Sequence, residues 1–157
     1  MKRHSPNLIL ALLLVMTDQL TKYFIVRSIP IYESSRVIPG FFDLTHIRNR
    51  GAIFGFFNHS DSGLIRFGLL AASLFALVFI LIYFFRTSPS EKLLKLSLTL
   101  ILAGATGNMT DRILKGYVVD FLDFYAGGWH FPSFNMADSC ITCGAALLLF
   151  VFFFRKG

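Results

Sequence analysis

The sequence predicts an all-α polytopic membrane protein, a bundle of four transmembrane helices that forms one integral membrane domain, residues 1–157. Of the 157 residues, 55% are hydrophobic, 15% are charged and 19 are phenylalanines. A soluble domain of this size cannot bury so much apolar surface. Four segments are long and apolar enough to cross a hydrocarbon core of about 30 Å. They cover about residues 8–26, 65–85, 94–114 and 137–154.

The first segment follows basic residues, as the apolar core of a signal peptide does. It lacks a convincing small-x-small cleavage site, and its apolar character resumes after Asp18 with Tyr23, Phe24 and Ile25. We therefore interpret it as a retained first span.

The connections between the spans differ in length. Residues 86–93, RTSPSEKL, are short and polar with Pro89 as a helix breaker, so the second and third spans form a hairpin. Residues 27–64 and 115–136 are long and mix Pro and Gly with aromatic residues. Within the first of them, residues 36–48 alternate in character and are rich in β-branched and aromatic side chains. This pattern predicts a short strand or hairpin on the membrane surface.

Basic residues set the expected orientation. They are dense in residues 1–7, 86–93 and 155–157 and sparse in the two long connections. Both termini are therefore expected in the cytoplasm and the long connections on the outer face. Loop residues that fix orientation also explain the net charge of +6. The sequence has no basic stripe with interleaved aromatic residues, so we expect no nucleic-acid partner.

The candidate metal and redox residues do not form a recognisable site in the sequence. Cys140 and Cys143 have C-x-x-C spacing, but they stand at the start of an apolar run without a second pair. His46 and His130 lack metal-ligand spacing. We expect no metal and no organic cofactor, and we interpret the cysteines as small apolar residues on a helix.

Polar residues in three of the four spans fall at one predicted depth, near the outer end of the bundle. Ionisable groups in a bilayer cost several kcal/mol unless they are paired or hydrated, so their convergence predicts a functional site. The residues are Asp18 and Lys22 late in the first span, Asn108, Asp111 and Arg112 late in the third, and Asn135 and Asp138 at the start of the fourth.

Several of these residues also have a structural interpretation. Asp18 and Lys22 are one helical turn apart and can neutralise each other. Arg112 either reaches the lipid headgroups or contacts a ligand. Gly104 and Gly107 favour close helix packing over phosphate binding, because no strand precedes them.

Four acids near the outer end are candidates for chemistry: Asp111, Asp120, Asp123 and Asp138. Two carboxylates held close together cannot both ionise easily, so one keeps a proton while the other deprotonates a water molecule. This logic predicts an aspartyl hydrolase and leaves open which two acids form the pair. No nucleophile competes, because Ser139 and Cys140 have no His nearby in the sequence.

Two other classes of function are open on the same residues. A small proton-coupled transporter or channel would use the buried carboxylates as a relay, although the second span is nearly featureless and no inverted repeat is apparent. A non-enzymatic assembly factor would use exposed aromatic residues such as Phe41, Phe42 and Trp129 for docking. The assembly-factor hypothesis leaves the carboxylates unexplained.

Five stretches of the chain resemble the bacterial lipoprotein signal peptidases, or signal peptidase II, and they occur in the order of that family over nearly the whole length. They are DQLTK at 18–22, IPGFFDLTHIRNRGAIFG at 38–55, GNMTDR at 107–112, VVDF at 118–121 and FNMAD at 134–138. Any one of them would be a weak signal, but five in order are highly specific.

The resemblance implies an intramembrane aspartyl endopeptidase that removes the signal peptide from diacylglyceryl-modified prolipoproteins, before the lipidated Cys. It implies a monomer in the bacterial cytoplasmic (inner) membrane, in contact with lipids, with its site near the outer leaflet. Residues 36–56 resemble the family's small extracytoplasmic β-cradle, which rests on the membrane. The implied residues are the catalytic pair Asp120 and Asp138, the substrate-site residues Asn49, Gly104, Asn108, Arg112 and Asn135, and the supporting residues Asp18, Lys22 and Asp111.

Overall fold

The computed structural model describes residues 4–51 and 63–154. Its elements in chain order are α1 (Ser5–Ser28), β1 (Ser34–Ile38), β2 (Phe42–Asn49), α2 (Gly63–Arg86), α3 (Lys92–Lys115), β3 (Val118–Ala126), β4 (Trp129–His130) and α4 (Met136–Phe154). All four helices are long and apolar enough to cross a membrane, and they lie over the four segments predicted as spans. The last part of the predicted cradle, residues 52–56, lies outside the described residues.

Helix α3 is the centre of the bundle. It packs against α1, α2 and α4, and more than half of its residues over a membrane-length stretch are buried, whereas in each of the other three helices fewer than a quarter are buried. The exposed faces are apolar, with Phe75 on α2 76% exposed and Phe153 on α4 81% exposed. Such faces suit a hydrocarbon solvent, in which an apolar surface needs no cover.

Small residues let α3 and α4 approach closely. A Cβ atom on Gly104 would collide with the main-chain oxygen of Ala137 and would lie 2.8 Å from Cγ1 of Ile141. A Cβ atom on Gly144 of α4 would lie 2.7 Å from Cγ1 of Ile101. The structure therefore supports the packing interpretation of Gly104, since its missing side chain is what allows the two backbones to meet.

The hairpin between α2 and α3 is held by a buried cation that the sequence analysis did not single out. Lys95 is buried at the start of α3, and its Nζ donates to the main-chain oxygens of Phe84 and Thr87 at the end of α2. The same ammonium lies 3.7 Å from the ring centroid of Phe84. A cation at a helix C-terminus satisfies carbonyls that have no partner within the helix, and Lys95 therefore ties α2 to α3.

The strands form one antiparallel sheet in the order β1-β2-β3-β4. The predicted all-α class is therefore wrong for the chain as a whole, although four membrane-length helices were predicted correctly. The short strand or hairpin predicted within residues 36–48 is present as β1 and β2. Its partner β3 comes from the second long connection, where the run VVDFLDFYA is rich in β-branched and aromatic residues.

The sheet is attached to the end of α1. Successive side chains of a strand point to opposite faces, and Val119 and Phe121 of β3 point to the face that packs on Ile25 and Ile29. The pairing of β2 with β3 is irregular between Leu44 and Ile47. Residues 45 and 46 are buried at this bulge, and Nδ1 of His46 lies 2.9 Å from the main-chain oxygen of Ile29.

Gly104→Ala is expected to lower the stability of the protein by about 1–3 kcal/mol, because the added methyl group forces α3 and α4 apart. Gly68→Ala is the matched control, since Gly68 lies within α2 and a Cβ there meets nothing within 4 Å. Thermal unfolding of the purified variants in detergent measures both effects. Equal midpoints for the two variants would contradict the packing role of Gly104.

Candidate active site

A buried group of charges joins α1 and α3 beneath the sheet. Nζ of Lys22 lies 2.8 Å from Oδ2 of Asp18 and 2.9 Å from Oδ2 of Asp111, and it donates to Oδ1 of Asn108 at 3.1 Å. Lys115 adds a second ion pair to Asp111 at 2.8 Å. Lys22 and Asp111 are fully buried, so each depends on the others for compensation of its lost hydration.

The first turn of α4 is fixed by two separate groups. Oδ1 of Asp18 accepts the backbone N–H of Ala137 at 2.9 Å, which links the buried charges to this helix end. Asn135 is the N-cap: its Oδ1 accepts the N–H of Asp138 at 2.9 Å, while its own N–H donates to Oδ2 of Asp138 at 3.2 Å. This reciprocal pair is a capping box, and it determines where the Asp138 carboxylate points.

Asp120 reaches the same place from the sheet. It lies on the face of β3 opposite to Val119 and Phe121, and it is only 3% exposed. Nδ2 of Asn49, from the adjacent strand, donates to Oδ2 of Asp120 at 2.9 Å. Nδ2 of Asn135 donates to Oδ1 at 2.7 Å, so one asparagine contacts both Asp120 and Asp138.

The environment of Asp120 favours a bound proton. Burial and, after it, the negative charge of Asp138 raise the pKa of Asp120 from its ordinary 3.8 to about 7. The hydrogen bonds from Asn49 and Asn135 and the charge of Lys22 act in the opposite direction. A carboxyl group with this pKa can be charged or neutral near neutral pH, as acid–base chemistry requires.

A cavity of about 350 Å³ opens beside the two carboxyl groups, between α2, α3 and α4. Its polar end is formed by Asn49, Asn108, Arg112, Asp120 and Asp138. The remainder is mostly apolar, and helix α2 contributes Leu69, Ala72, Ser73, Ala76 and Ile80 to it. The arrangement provides a polar reaction end and an apolar channel along the helices.

The residues expected at the site divide into three positions. Asn49, Asn108, Arg112, Asp120 and Asp138 line the cavity. Asn135 is fully buried behind the carboxyl groups, and Gly104 lies in the contact between α3 and α4. Asp18, Lys22 and Asp111 form the buried charge group.

The fourth acidic candidate, Asp123, is not part of this arrangement. Its carboxylate lies 3.0 Å from Nδ1 of His130 on the sheet. Over residues 4–51 and 63–154, no three His, Cys, Asp or Glu side chains are grouped so that they could hold a metal ion. Cys140 and Cys143 are free thiols on α4.

The sequence analysis missed one contributor to the site, Lys115, and it missed the capping role of Asn135, which it had named only as a polar residue of the site. Lys115 follows Asp111 by one helical turn, a spacing typical of an ion pair. Asn135 precedes Asp138 by three residues just before an apolar run, which is the pattern of a capping box. Both signals were present in the sequence, whereas the hydrogen bonds from Asn49 and Asn135 to Asp120 depend on tertiary structure.

Together, the fold and the site define a polytopic membrane protein with two carboxyl groups at the polar end of a cavity between its helices. Residues 10–154 match the family model described as Signal peptidase (SPase) II. The chain belongs to this family.

Curated relatives and solved structures agree with that assignment. The lipoprotein signal peptidase of Burkholderia vietnamiensis is 44% identical over 93% of this chain and 86% of its own. That of Desulforapulum autotrophicum is 43% identical over 92% of this chain and 89% of its own. A solved structure described as a bacterial membrane enzyme at 1.9 Å resolution has a TM-score of 0.82 and 34% identity, covering 97% of this chain and 95% of that one. The transporter alternative gains no support from these relatives.

Lys22→Met is expected to destabilise the protein by about 3–5 kcal/mol, because it leaves the buried Asp18 and Asp111 carboxylates without their shared partner. Lys115→Met is the control, because Lys115 also pairs with Asp111 but its side chain is 32% exposed. We expect this variant to lose at most about 1 kcal/mol of stability. Thermal unfolding in detergent compares the two variants. A similar loss for both would show that the Lys22 ammonium is not the centre of the group.

Proposed function

We propose that this protein is a lipoprotein signal peptidase that cleaves the signal peptide from diacylglyceryl-modified prolipoproteins, immediately before the lipidated Cys. The observation that carries the proposal is the meeting of Asp120 and Asp138 at one cavity through Asn135, in a chain of the signal peptidase II family. The whole chain acts as a single membrane domain and as a monomer.

The proposed reaction is aspartyl proteolysis by this pair. One carboxylate takes a proton from a water molecule, whose oxygen attacks the carbonyl carbon before the lipidated Cys. The protonated partner donates to the developing oxyanion, and the amine then leaves with a proton from the pair. The chemistry uses two carboxyl groups and water.

The cavity fits a substrate that enters from the bilayer. The apolar walls of the cavity on α2, α3 and α4 match a signal-peptide helix and acyl chains. The polar end of the cavity then contacts the substrate at the end of its signal-peptide helix. Arg112 is partly exposed there, and one of its guanidinium N–H groups donates to the main-chain oxygen of Gly51 at 3.3 Å. Arg112, Asn49 and Asn108 are the proposed contacts for substrate carbonyls, which are costly to leave without donors in a membrane.

The proposed orientation places both termini in the cytoplasm and the carboxyl pair near the outer leaflet. The α2–α3 hairpin then lies inside, in agreement with Arg86 and Lys92 at its ends. The sheet lies outside as an extracytoplasmic cradle in contact with lipids, with Trp129 64% exposed at its tip. Exposed Trp is typical of a membrane interface.

Asp120→Asn and Asp138→Asn are each expected to slow cleavage by roughly 10²–10⁴-fold, because each removes one acid–base partner. Asp123→Asn is the control, since Asp123 is on the opposite face of β3 and pairs with His130, and we expect cleavage close to that of the unmodified protein. The measurement is cleavage of a diacylglyceryl-modified prolipoprotein by purified enzyme in lipid.

Folding is checked by thermal unfolding of each variant. Because the pKa of Asp120 is higher in the folded protein than its ordinary value, its contribution to stability is present below about pH 4 and is lost as the pH rises through about 7. Asp120→Asn removes this loss, but it also places an NH₂ group opposite one of the two asparagine donors, so its unfolding midpoint is measured at the pH of the cleavage assay to show that the variant is folded there. Near-normal cleavage by either variant of the pair would refute the aspartyl assignment.

The proposed orientation predicts opposite accessibility for two exposed serines. Ser35 lies on β1 and Ser90 lies in the α2–α3 turn. In a background with Cys140 and Cys143 replaced by Ala, Ser35→Cys should react with a membrane-impermeant maleimide in intact spheroplasts. Ser90→Cys should react only after the membrane is opened, and the reverse pattern would invert the topology.

A further inference from the structure

Three asparagine amides hold the two carboxyl groups, and each uses Nδ2 for this contact. Asn49 and Asn135 donate to the two oxygens of Asp120, at 2.9 and 2.7 Å. Asn108 donates to Oδ1 of Asp138 at 2.7 Å. The remaining oxygen of Asp138 accepts the backbone N–H of Asn135, so all four carboxyl oxygens have a donor.

The orientation of each amide is fixed from behind by a group that can only donate. Oδ1 of Asn49 accepts the N–H of Gly51 at 2.9 Å, and Oδ1 of Asn135 accepts the N–H of Asp138 at 2.9 Å. Oδ1 of Asn108 accepts from the Lys22 ammonium at 3.1 Å. Since backbone N–H and ammonium groups have no acceptor, each amide must present its NH₂ group to a carboxyl group.

The two carboxyl groups differ in what surrounds them. Asp138 is the third residue of α4, where the helix N-terminus stabilises a negative charge, and Lys22 stands directly behind its partner Asn108. Asp120 lies on a strand, which has no comparable dipole, and its pKa is raised to about 7 by burial and by the charge of Asp138.

The other charged groups facing the pair do not reverse this difference. Helix α1 contributes Lys22 and Asp18, and α3 contributes Asp111 and Arg112. Asp18 and Asp111 are both paired with Lys22. Strand β2 contributes Asn49, which does not titrate.

Resting on the proposed function, we propose that Asp138 carries the negative charge and Asp120 the proton in the resting enzyme, and that Asn135 is a positioning residue that orients both carboxyl groups through its contacts with them. Asp138 takes a proton from water while the water oxygen bonds to the carbonyl carbon. Asp120 gives its proton to the carbonyl oxygen. The C–N bond then breaks as Asp138 returns its proton to the amine nitrogen, and Asp120 regains a proton from the diol hydroxyl as the new carboxyl group forms.

Two variants separate the roles, because each removes one donor from one carboxylate. Asn135→Ser retains a good N-cap for α4 and loses the Nδ2 donor to Asp120. Asn108→Ala loses the Nδ2 donor to Asp138 and leaves Lys22 with both of its carboxylate partners. Asn135→Ala loses the same donor and the cap as well, so an unfolding midpoint of Asn135→Ser above that of Asn135→Ala shows that serine retains the cap.

The experiment is the pH profile of kcat/KM for cleavage of a diacylglyceryl-modified prolipoprotein by the full-length enzyme in lipid. Loss of a donor destabilises the charged form of its carboxyl group, so Asn135→Ser should move the alkaline limb to higher pH by about one unit and leave the acidic limb in place. Asn108→Ala should move the acidic limb upward and leave the alkaline limb. The two limbs belong to the pair, and each variant perturbs one ionisation of it.

Each outcome supports or overturns the assignment. Movement of the acidic limb by Asn135→Ser would make Asp120 the base, and limbs that do not move in either variant would remove Asn135 and Asn108 as positioning residues. Where a variant is too slow for a profile, carboxyl ¹³C resonances of labelled aspartate, assigned with Asp120→Asn and Asp138→Asn, identify the protonated side chain at neutral pH. The proposed function itself fails only if the unmodified enzyme does not cleave or the Asp variants still do.

Discussion

The ammonium group of Lys22 is the constraint on which the arrangement of the bundle depends. A fully buried charge must find compensation within the protein, and Lys22 finds it in Asp18 of its own helix and in Asp111 and Asn108 of α3. Asp18 in turn binds the N-terminus of α4 through the N–H of Ala137. One cation therefore sets the relative position of three helices, where lipid supplies no hydrophobic force between them.

The site is built in layers that begin at this charge group and end at the cavity. The buried ions orient the amide of Asn108, the amides hold the carboxyl groups, and the carboxyl groups face the cavity. The sheet supplies the part that the helices cannot, because Asp120 and Asn49 are on adjacent strands with the same face toward the cavity. A pKa of about 7 at Asp120 is thus a product of helices and sheet together.

The sequence predicted the features that depend on local pattern and depth. Span length and the depth of polar residues predicted four helices and the convergence of Asp18, Asn108 and Asp138, because a helix converts sequence position directly into height in the membrane. The pairing of β2 with β3 was not predicted, since it joins strands that are distant in the chain and contains a bulge. The burial of Lys95 had no sequence signal either, because its partners are main-chain carbonyls. The catalytic role of the aspartate pair rests on family resemblance and stays a prediction.

The spacing of the buried ion pairs also bears on how the chain enters the membrane. Asp18 and Lys22 are one turn apart in α1, and Asp111 and Lys115 are one turn apart in α3. Each helix therefore contains an ion pair that can form within the helix itself, without a contact from the other helix. Such a pair lowers the cost of placing its charges in the bilayer, and association of the two helices adds the contact from Lys22 to Asp111.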